Sequence, residues 1–481
     1  MTQSIRLRFA PSPTGRMHIG NVRAALFNAL LARQLDGRFI LRIEDTDAQR
    51  NVSEGTEHIL TDLAWLGLTP EEGPGSSTNE PYFQSQRQEV YIRALARLID
   101  RGYVYRCFCT PERLQLMRQE QRQAGLPPRY DNHCRDLTED ELHDHAGDGT
   151  PFIWRFRRPE TATFTLQVEP GGTMDVDMRH FADFALTRAD ESFTFLFTNV
   201  VDDIEMNISH VIRGQDHQSN AALQAALYHA FDAPVPVFIH LPLLCGPGGK
   251  KLSKRDDGFS LAEVQAAGIL PEALTHYLLT LGSTTIDHVM SDDELLRLPL
   301  LDRLSSSMIT YDLSALRAIN RKYLGHLSGD AYVAALLTFD AQFTKELQQA
   351  SATHLLEIAA VLRQEVATLS EAVALIARVL HQPVLDRTAL LDFVRHDDEL
   401  LRVLIGKAEE LFAAHQPTAA LAEYKVWAKS NDVPMKTALC TLRYLLVGVF
   451  TGYAMGELIQ VLPIEDMQER IAAGIQLLVG S

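Results

Sequence analysis

Long apolar runs are missing from this 481-residue chain. No uninterrupted stretch reaches membrane length, and the opening Met1-Thr-Gln-Ser has no signal-peptide pattern. A membrane-spanning or exported protein is therefore not expected, and the cytoplasm is the expected compartment. Cysteine is scarce, and its count of five is odd, which argues against a disulfide framework. No internal repeat, low-complexity tract or disordered tail interrupts the sequence. Excess positive charge is lacking as well: the formal net charge is -17. Phosphate binding needs Lys and Arg, so a nucleic-acid partner would require strong segregation of charge, with basic residues lining one side. What is left is the composition of an ordinary soluble globular protein, 46% hydrophobic, with length for roughly two to four domains.

From Arg6 to Asp47 the chain reads RLRFAPSPTGRMHIGNVRAALFNALLARQLDGRFILRIEDTD. Arg6 to Ala10 is a short, partly apolar run ending in a Pro/Ser/Pro/Thr/Gly cluster, which predicts a strand entering a loop. From Gly20 the period changes. Val22, Leu26 and Leu30, with Ala25 and Ala29 beside them, form a stripe at helical spacing that continues to Leu35. Asp36-Gly37 breaks it, and Arg38 to Ile43 reads as a second strand. This order predicts a parallel βαβ unit with a right-handed crossover. Ligands of such sheets sit at the carboxyl ends of the strands, facing the first turn of the helix, and Pro11 to Gly20 occupies that place. The unpaired amides and positive dipole end of a helix start there favour a phosphate. Gly15 and Gly20 allow close approach, and His18 can donate to a phosphate oxygen. Read alone, the stretch is equally an ordinary βα connection with a half-buried histidine.

Pro242 to Gly258 reads PLLCGPGGKKLSKRDDG, a glycine-rich turn followed by Lys250, Lys251, Lys254 and Arg255 packed around Ser253. A basic run by itself is a solvated face; behind flexible glycines it is also a loop that can close on a triphosphate. Taken together, PSPTGRMHIGN resembles the HIGH signature and KLSKR the KMSKS signature of class I aminoacyl-tRNA synthetases. RFAPSPTG, RIEDTD, YFQSQR, VIRGQDH and KKLSKRDDG are similar to the glutamyl-tRNA synthetases of the bacterial type, in colinear order from about Arg6 to Tyr323 and more faintly beyond.

The resemblance implies activation of L-glutamate with ATP and Mg2+ to glutamyl-adenylate. Transfer to the 3'-terminal adenosine of tRNA(Glu), tRNA(Gln) or both would follow, in a monomeric enzyme. It also implies the site. His18, Lys251, Ser253 and Lys254 would be catalytic. Pro11, Thr14, Gly15, His18, Gly20 and Lys254 would bind ATP, and Arg8, Ser12, Glu44, Phe195 and Arg213 would bind glutamate. Residue chemistry agrees: Arg8 and Arg213, each at a strand end, offer bidentate donors to carboxylates, and Glu44 suits an ammonium. Two positions depart from the family pattern. Phe195 stands where a tyrosine is usual, which removes one hydroxyl, and Gln215 where glutamate is common.

Cys245 and Cys440 stand alone in apolar contexts and read as core residues. Cys107-Phe-Cys109 and Cys134 differ, because thiolates with one more ligand make a closed tetrahedral zinc site able to pin a small insertion. Zinc-bearing members of the family continue Cys-x-Cys with Cys-x-His. Here the last position is Asp136, so the fourth ligand is open among Asp136, Tyr130 and His133.

The expected fold is an α/β amino-terminal half, a class I Rossmann-type parallel sheet with an inserted α+β subdomain, followed by an all-α carboxyl-terminal half. The expected divisions are 1–109 and 190–258 for the two parts of the catalytic domain and 110–189 for an inserted acceptor-stem-binding subdomain. Residues 259–327 would be a helical stem-contact domain and 328–481 an all-helical anticodon-binding domain. Asn199-Val-Val-Asp-Asp203 reads as a strand ending in paired carboxylates, which either hold magnesium with substrate phosphates or, more simply, cap a turn.

Overall fold

The first strand of the chain is half arginine. β1 (Arg6–Phe9) reads Arg-Leu-Arg-Phe and is buried at all four positions. α1 (Ile19–Gln34) follows, burying the expected stripe of Val22, Ala25, Leu26, Ala29 and Leu30, and β2 (Arg38–Leu41) returns parallel to β1. Asp36, in the left-handed region at φ 50°, makes the turn between them. Next come α2 (Gly55–Trp65), α3 (Gln88–Asp100), β3 (Val104–Cys107), α4 (Pro111–Gln123), α5 (Glu139–Gly147), β4 (Ile153–Phe156), β5 (Thr163–Glu169), β6 (Gly172–Asp177) and β7 (Phe184–Ala185). α6 (Phe195–Glu205), β8 (His210–Gly214), α7 (Gln218–Ala230) and β9 (Val237–Leu241) complete the α/β part.

This computed structural model describes residues 4–47, 51–52, 54–76, 80–250, 252, 258–282, 288–302, 304, 307–340, 358, 361, 363, 366–452 and 454–479. The main sheet has the order β2-β1-β8-β9-β5-β6, parallel except for the β5–β6 hairpin at one edge. Two strands from the segment expected to be an insertion therefore extend the nucleotide-type sheet. Two more strands of that segment, β4 and β7, form a separate antiparallel sheet with β3, which precedes it.

One expected strand is a helix. Asn199 to Asp203 lies inside α6, where Phe197, Val200 and Val201 face the core at helical spacing. Two β-branched valines suggested a strand; burial of one helical face overrides that propensity, and arginines neutralise the two aspartates that the helix carries inward. Asp202 and Asp203 neither cap a turn nor face a metal position.

Past β9, β10 (Leu244–Cys245) leads on to α8 (Leu261–Ala266), α9 (Pro271–Thr280) and α10 (Asp292–Leu296), and β10 pairs in parallel with β11 (Ile309–Thr310). The remainder is helical: α11 (Leu313–His326), α12 (Gly329–Phe339), α13 (Leu369–Leu380), α14 (Arg387–Phe393), α15 (Asp398–Ala414), α16 (Pro417–Ser430), α17 (Met435–Val447), α18 (Met455–Val461) and α19 (Ile464–Val479). The periodic stretch from Arg387 to Lys407 is two helices, because Arg395 and His396 take φ of 60° and 62° and Asp397 caps the second by accepting from Leu400 N. Within the expected all-helical region 328–481, most of Ala350 to Leu369, read as one helix from its periodicity, lies outside the described residues.

The chain forms two compact units, Met1–Glu263 with Thr275–Asp312 and Val264–Leu274 with Leu313–Ser481. In the second, buried Asn320 accepts from Leu270 N at 2.8 Å and donates to the Ala367 carbonyl at 2.7 Å. Arg470 there donates to the Val379 and Leu446 carbonyls at the ends of α13 and α17. No helix among the described residues is long and apolar enough to cross a membrane.

Candidate active site

The loop from Pro11 to Gly20 is held from behind. Buried Asp62 accepts from Met17 N at 3.2 Å and from Arg16 Nη1 at 2.9 Å, and Gly55 packs where a Cβ would lie 2.3 Å from the Pro13 carbonyl oxygen. Gly15 makes the bend at φ 110°. His18 is the N-cap of α1, its Nδ1 accepting from Asn21 N at 3.2 Å. A neutral imidazole accepting through Nδ1 carries its proton on Nε2. Gly20 makes this possible, since a Cβ there would come within 3.0 Å of the His18 ring. The helix start is less open than the sequence suggested. Ile19 N–H is taken by the Phe259 carbonyl at 2.9 Å and Asn21 N–H by His18, leaving Gly20 N–H without a bond among the described residues.

The strand ends and this loop enclose a cavity of about 680 Å³. Arg8, Pro11, Ser12, Thr14, His18, Gly20, Glu44, Phe195 and Arg213 all line it, so nine residues anticipated from the sequence come together. Gly15 shapes the loop but does not line the cavity. Lys251, Ser253 and Lys254 lie outside the described residues. The residues bracketing them do not: Leu252 and Phe259 both line the same cavity. Leu252 N–H bonds the Leu244 carbonyl at 3.1 Å, Leu261 N–H bonds the Met17 carbonyl at 3.0 Å, and the Phe259 ring stacks on His18 at 5.3 Å. Both ends of the lysine-rich loop are thus anchored beside the helix start that carries His18.

Behind the end of the cavity lined by Arg8, Glu44 and Arg213 lies an ion network. Arg42, fully buried, donates to Asp203 at 2.7 Å and to Glu44 at 3.1 Å, with Asp202 at 3.7 Å. Arg8 bonds Asp203 through Nε at 3.0 Å. Asp202 takes Arg87 at 2.7 Å, Gln84 at 2.7 Å and Tyr91 at 2.9 Å. Glu44 also accepts from Asn199 at 2.7 Å, and Asn199 from Gln224 at 2.9 Å. Burial pushes the Glu44 carboxyl above its ordinary range against the pull of Arg42 and Arg8. At Asp203 burial acts the same way, but Arg8 and Arg42 outweigh it and hold the carboxyl low. Arg213 is the exception: it is 8% exposed and none of its guanidinium nitrogens has a hydrogen-bond partner among the described residues. Burial and the nearby Arg8 lower its pKa to about 10. Asp203, Tyr228 and Glu44 act on it in the opposite sense; the Phe238 ring lies at 5.2 Å, and burial and Arg213 pull the pKa of His240 down to about 4.

Comparison with known proteins agrees with this geometry. The model of the catalytic domain of class I tRNA synthetases (E and Q) matches residues 4–318, and that of an anticodon binding domain matches 336–475. The chain belongs to the class I glutamyl/glutaminyl tRNA synthetases. A glutamate–tRNA ligase of Finegoldia magna is 32% identical over 97% of this chain and 98% of its own length. One of Natranaerobius thermophilus is 42% identical over 67% of each. A glutamate tRNA ligase of Elizabethkingia meningosepticum, solved in complex with its amino acid, superposes with TM-score 0.81 at 29% identity, covering 99% of this chain and all of that one. Membership in the synthetase family implies the use of ATP.

The synthetase has a second cluster in its β3-β4-β7 sheet. The sulfur atoms of Cys107, Cys109 and Cys134 lie within 4.8 Å of one another. Tyr130 adds an oxygen: its hydroxyl is 3.3 Å from Cys107 Sγ and 3.6 Å from Cys109 Sγ. A hydrogen bond from Cys134 pulls the Cys107 thiol well below its ordinary range; burial opposes this, and Tyr130 and Arg155 add to it. Three sulfurs and a phenol oxygen fit a tetrahedral zinc site in kind and spacing. Asp136 is exposed and pairs with Arg157 at 3.1 Å, so the structure does not bring it to the sulfurs.

Sequence reading passed over Arg23, Arg42 and Asn199. Arg42 had a signal, a charge inside the otherwise apolar run Phe39 to Ile43. Asn199 was hidden by the strand reading of its segment.

A carboxylate that holds a cationic group must be ionised, and burial raises the pKa of Glu44; if Glu44 takes that part, the amino-acid affinity follows its titration. Apparent affinity for the amino acid therefore falls as pH drops through a value above the ordinary carboxyl range. KM for the amino acid measured between about pH 5 and pH 8 will show this acid limb in the wild type. In Glu44→Gln the KM will be high throughout and nearly flat; a Glu44→Gln enzyme that keeps the limb assigns it to another group.

Proposed function

We propose that this synthetase is a glutamate–tRNA ligase that joins L-glutamate to ATP as glutamyl-adenylate and passes it to the 3'-terminal adenosine of tRNA. The observation that carries the choice of amino acid is the unpaired guanidinium of Arg213. Around the amino-acid end of the cavity, Arg8, Arg42, Arg87 and Arg213 face Glu44, Asp202 and Asp203. Arg8, Arg42 and Arg87 each hydrogen-bond one of these carboxylates, whereas Arg213 bonds none of them. Glutamate, with two carboxylates and one ammonium, brings a single negative charge; glutamine brings none. A buried charge left without its partner costs about 3–5 kcal/mol, a discrimination on the order of 10² to 10³.

In this reading Glu44 with Ser12 holds the ammonium, and Arg8 and Arg213 hold carboxylates. Phe195 packs beside them without a hydroxyl to donate. The α-carboxylate attacks the α-phosphorus of ATP in line, the bond to the bridging oxygen breaks, and pyrophosphate leaves. Such a transfer needs positioning and charge stabilisation more than covalent help. His18 through Nε2–H, the Gly20 amide and the Lys251-Leu-Ser253-Lys254 segment supply them, with Pro11, Thr14 and Gly15 shaping the nucleotide end. Magnesium binds with the ATP phosphates, neutralising their charge. The terminal ribose hydroxyl of tRNA then attacks the adenylate carbonyl and AMP departs. Residues 110–189 hold the acceptor stem, 259–327 contact the stem and 328–481 read the anticodon, in a cytoplasmic monomer. The match of an anticodon binding domain to residues 336–475 supports the last division. Cys107, Cys109, Cys134 and Tyr130 would hold one structural Zn2+, which stabilises the inserted sheet when bound.

Charging of purified tRNA(Glu) and tRNA(Gln) with each amino acid tests the reading. Glutamate is esterified at least about 10²-fold more efficiently than glutamine on whichever tRNA is accepted; preference for glutamine would overturn it. Metal analysis tests the cluster separately. The purified protein carries zinc, which Cys134→Ser and Tyr130→Phe surrender to a chelator faster than wild type and Asp136→Ala does not. Zinc lost from Asp136→Ala as readily as from Cys134→Ser would contradict the ligand set.

A further inference from the structure

α1 carries a second buried cation. Arg23 is 2% exposed, and no carboxylate pairs with it among the described residues. Its Nη1 donates to the Pro242 carbonyl at 3.2 Å, its guanidinium lies 5.2 Å from the centre of the Phe27 ring, and its Nε has no hydrogen-bond partner among the described residues. Taking a cation out of water without a counter-ion is unfavourable. Hydrophobic packing alone would be served better by a leucine or methionine. The place of this side chain is informative. It lines the same cavity as His18, Gly20, Leu243 and Leu252, and it sits on the helix that His18 caps. Pro242 directly follows β9 and precedes β10, from whose Leu244 carbonyl the lysine-rich loop is held through Leu252 N–H. One side chain therefore ties the helix of the first signature to the strand exit that feeds the second.

We propose that Arg23 is a positioning residue for the nucleotide. By holding the Pro242 carbonyl it sets the spacing between the His18 end of α1 and the stem of the lysine-rich loop. The polyphosphate that binds in this cavity supplies a negative charge for Arg23, with which no carboxylate among the described residues pairs. Glutamate is held elsewhere, by Arg8, Glu44 and Arg213, so Arg23 acts on one substrate and not on the other. This inference rests on the reading of the cavity as an ATP site.

The test compares Arg23→Met and Arg23→Lys with wild type in two measurements. In steady-state charging, Arg23→Met raises KM for ATP by about 10- to 100-fold, the range for loss of a charged hydrogen bond, and leaves KM for glutamate unchanged. In thermal melting, the stabilising shift produced by ATP in the wild type is lost in Arg23→Met, whereas the melting temperature without ATP does not fall. Arg23→Lys, which keeps the charge but not the planar fork, lies between the two. A wild-type KM for ATP in Arg23→Met, or equal increases for both substrates, would overturn the proposal. Should Arg23→Met not fold, the same split in Arg23→Lys decides. A wild-type protein that charges no tRNA refutes the ligase reading instead, and the ATP melting shift still tests Arg23 by itself.

Discussion

The contact of Arg42 with three buried carboxylates is the constraint from which the site follows. Arg42 is sealed from solvent among Asp203, Glu44 and Asp202. Burial alone would lower its pKa, but the three acids together raise it above the ordinary guanidinium value. The attraction works in both directions: without Arg42 these acids would sit in a dry interior and take up protons. Breaking such a cluster by removing one member typically costs about 3–5 kcal/mol, because the remaining charges stay behind. A fully apolar replacement would fold as well or better. The cluster is therefore better understood through what it aims at the cavity than through stability.

What it aims is specific. Asp203 is bonded by Arg42 and also by Arg8 Nε, so the side chain of Arg8 is hung on a fixed carboxylate at the cavity wall. Glu44 is held through one oxygen by both Arg42 and Asn199. Arg213 hydrogen-bonds no carboxylate among the described residues. A preorganised site of this kind binds its ligand without reorganising its own charges, the condition under which electrostatic recognition is strongest. The nucleotide end follows the same logic with backbone in place of ions: His18 is locked by Asn21 N–H, and the chain on either side of the lysine-rich loop is pinned to Met17, Ile19 and Leu244.

Much of this was legible in the sequence, and the reasons differ by element. The β1-α1-β2 unit announced itself through a change of period from two to helical, and its glycines stand where a bend or a folded-back histidine requires them. The helical carboxyl-terminal half was legible for the same reason. The segment around Asn199 misled, because two valines before two aspartates look like a strand end until the arginines that neutralise those aspartates are known; they come from β1, from the residue after β2 and from the start of α3. The motif Tyr82-Phe-Gln-Ser-Gln-Arg87 resembled a family signature with no role attached. Gln84 and Arg87 hold Asp202 and Tyr82 bonds Glu72, so the motif supports the ion network from the side away from the cavity. Tyr130 could not be preferred over Asp136 from spacing, since both flank Cys134; a salt bridge to Arg157 removes the aspartate. Long-range charge pairing leaves no periodic trace in a sequence, and that is what reading it missed.

The central claim is that the buried guanidinium of Arg213, which has no hydrogen-bond partner among the described residues, selects glutamate. Steady-state kinetics of Arg213→Gln tests it most directly. The account predicts a fall in kcat/KM for glutamate on the order of 10²- to 10³-fold with KM for ATP unchanged. An Arg213→Gln enzyme that charges tRNA with glutamate as efficiently as wild type would contradict it.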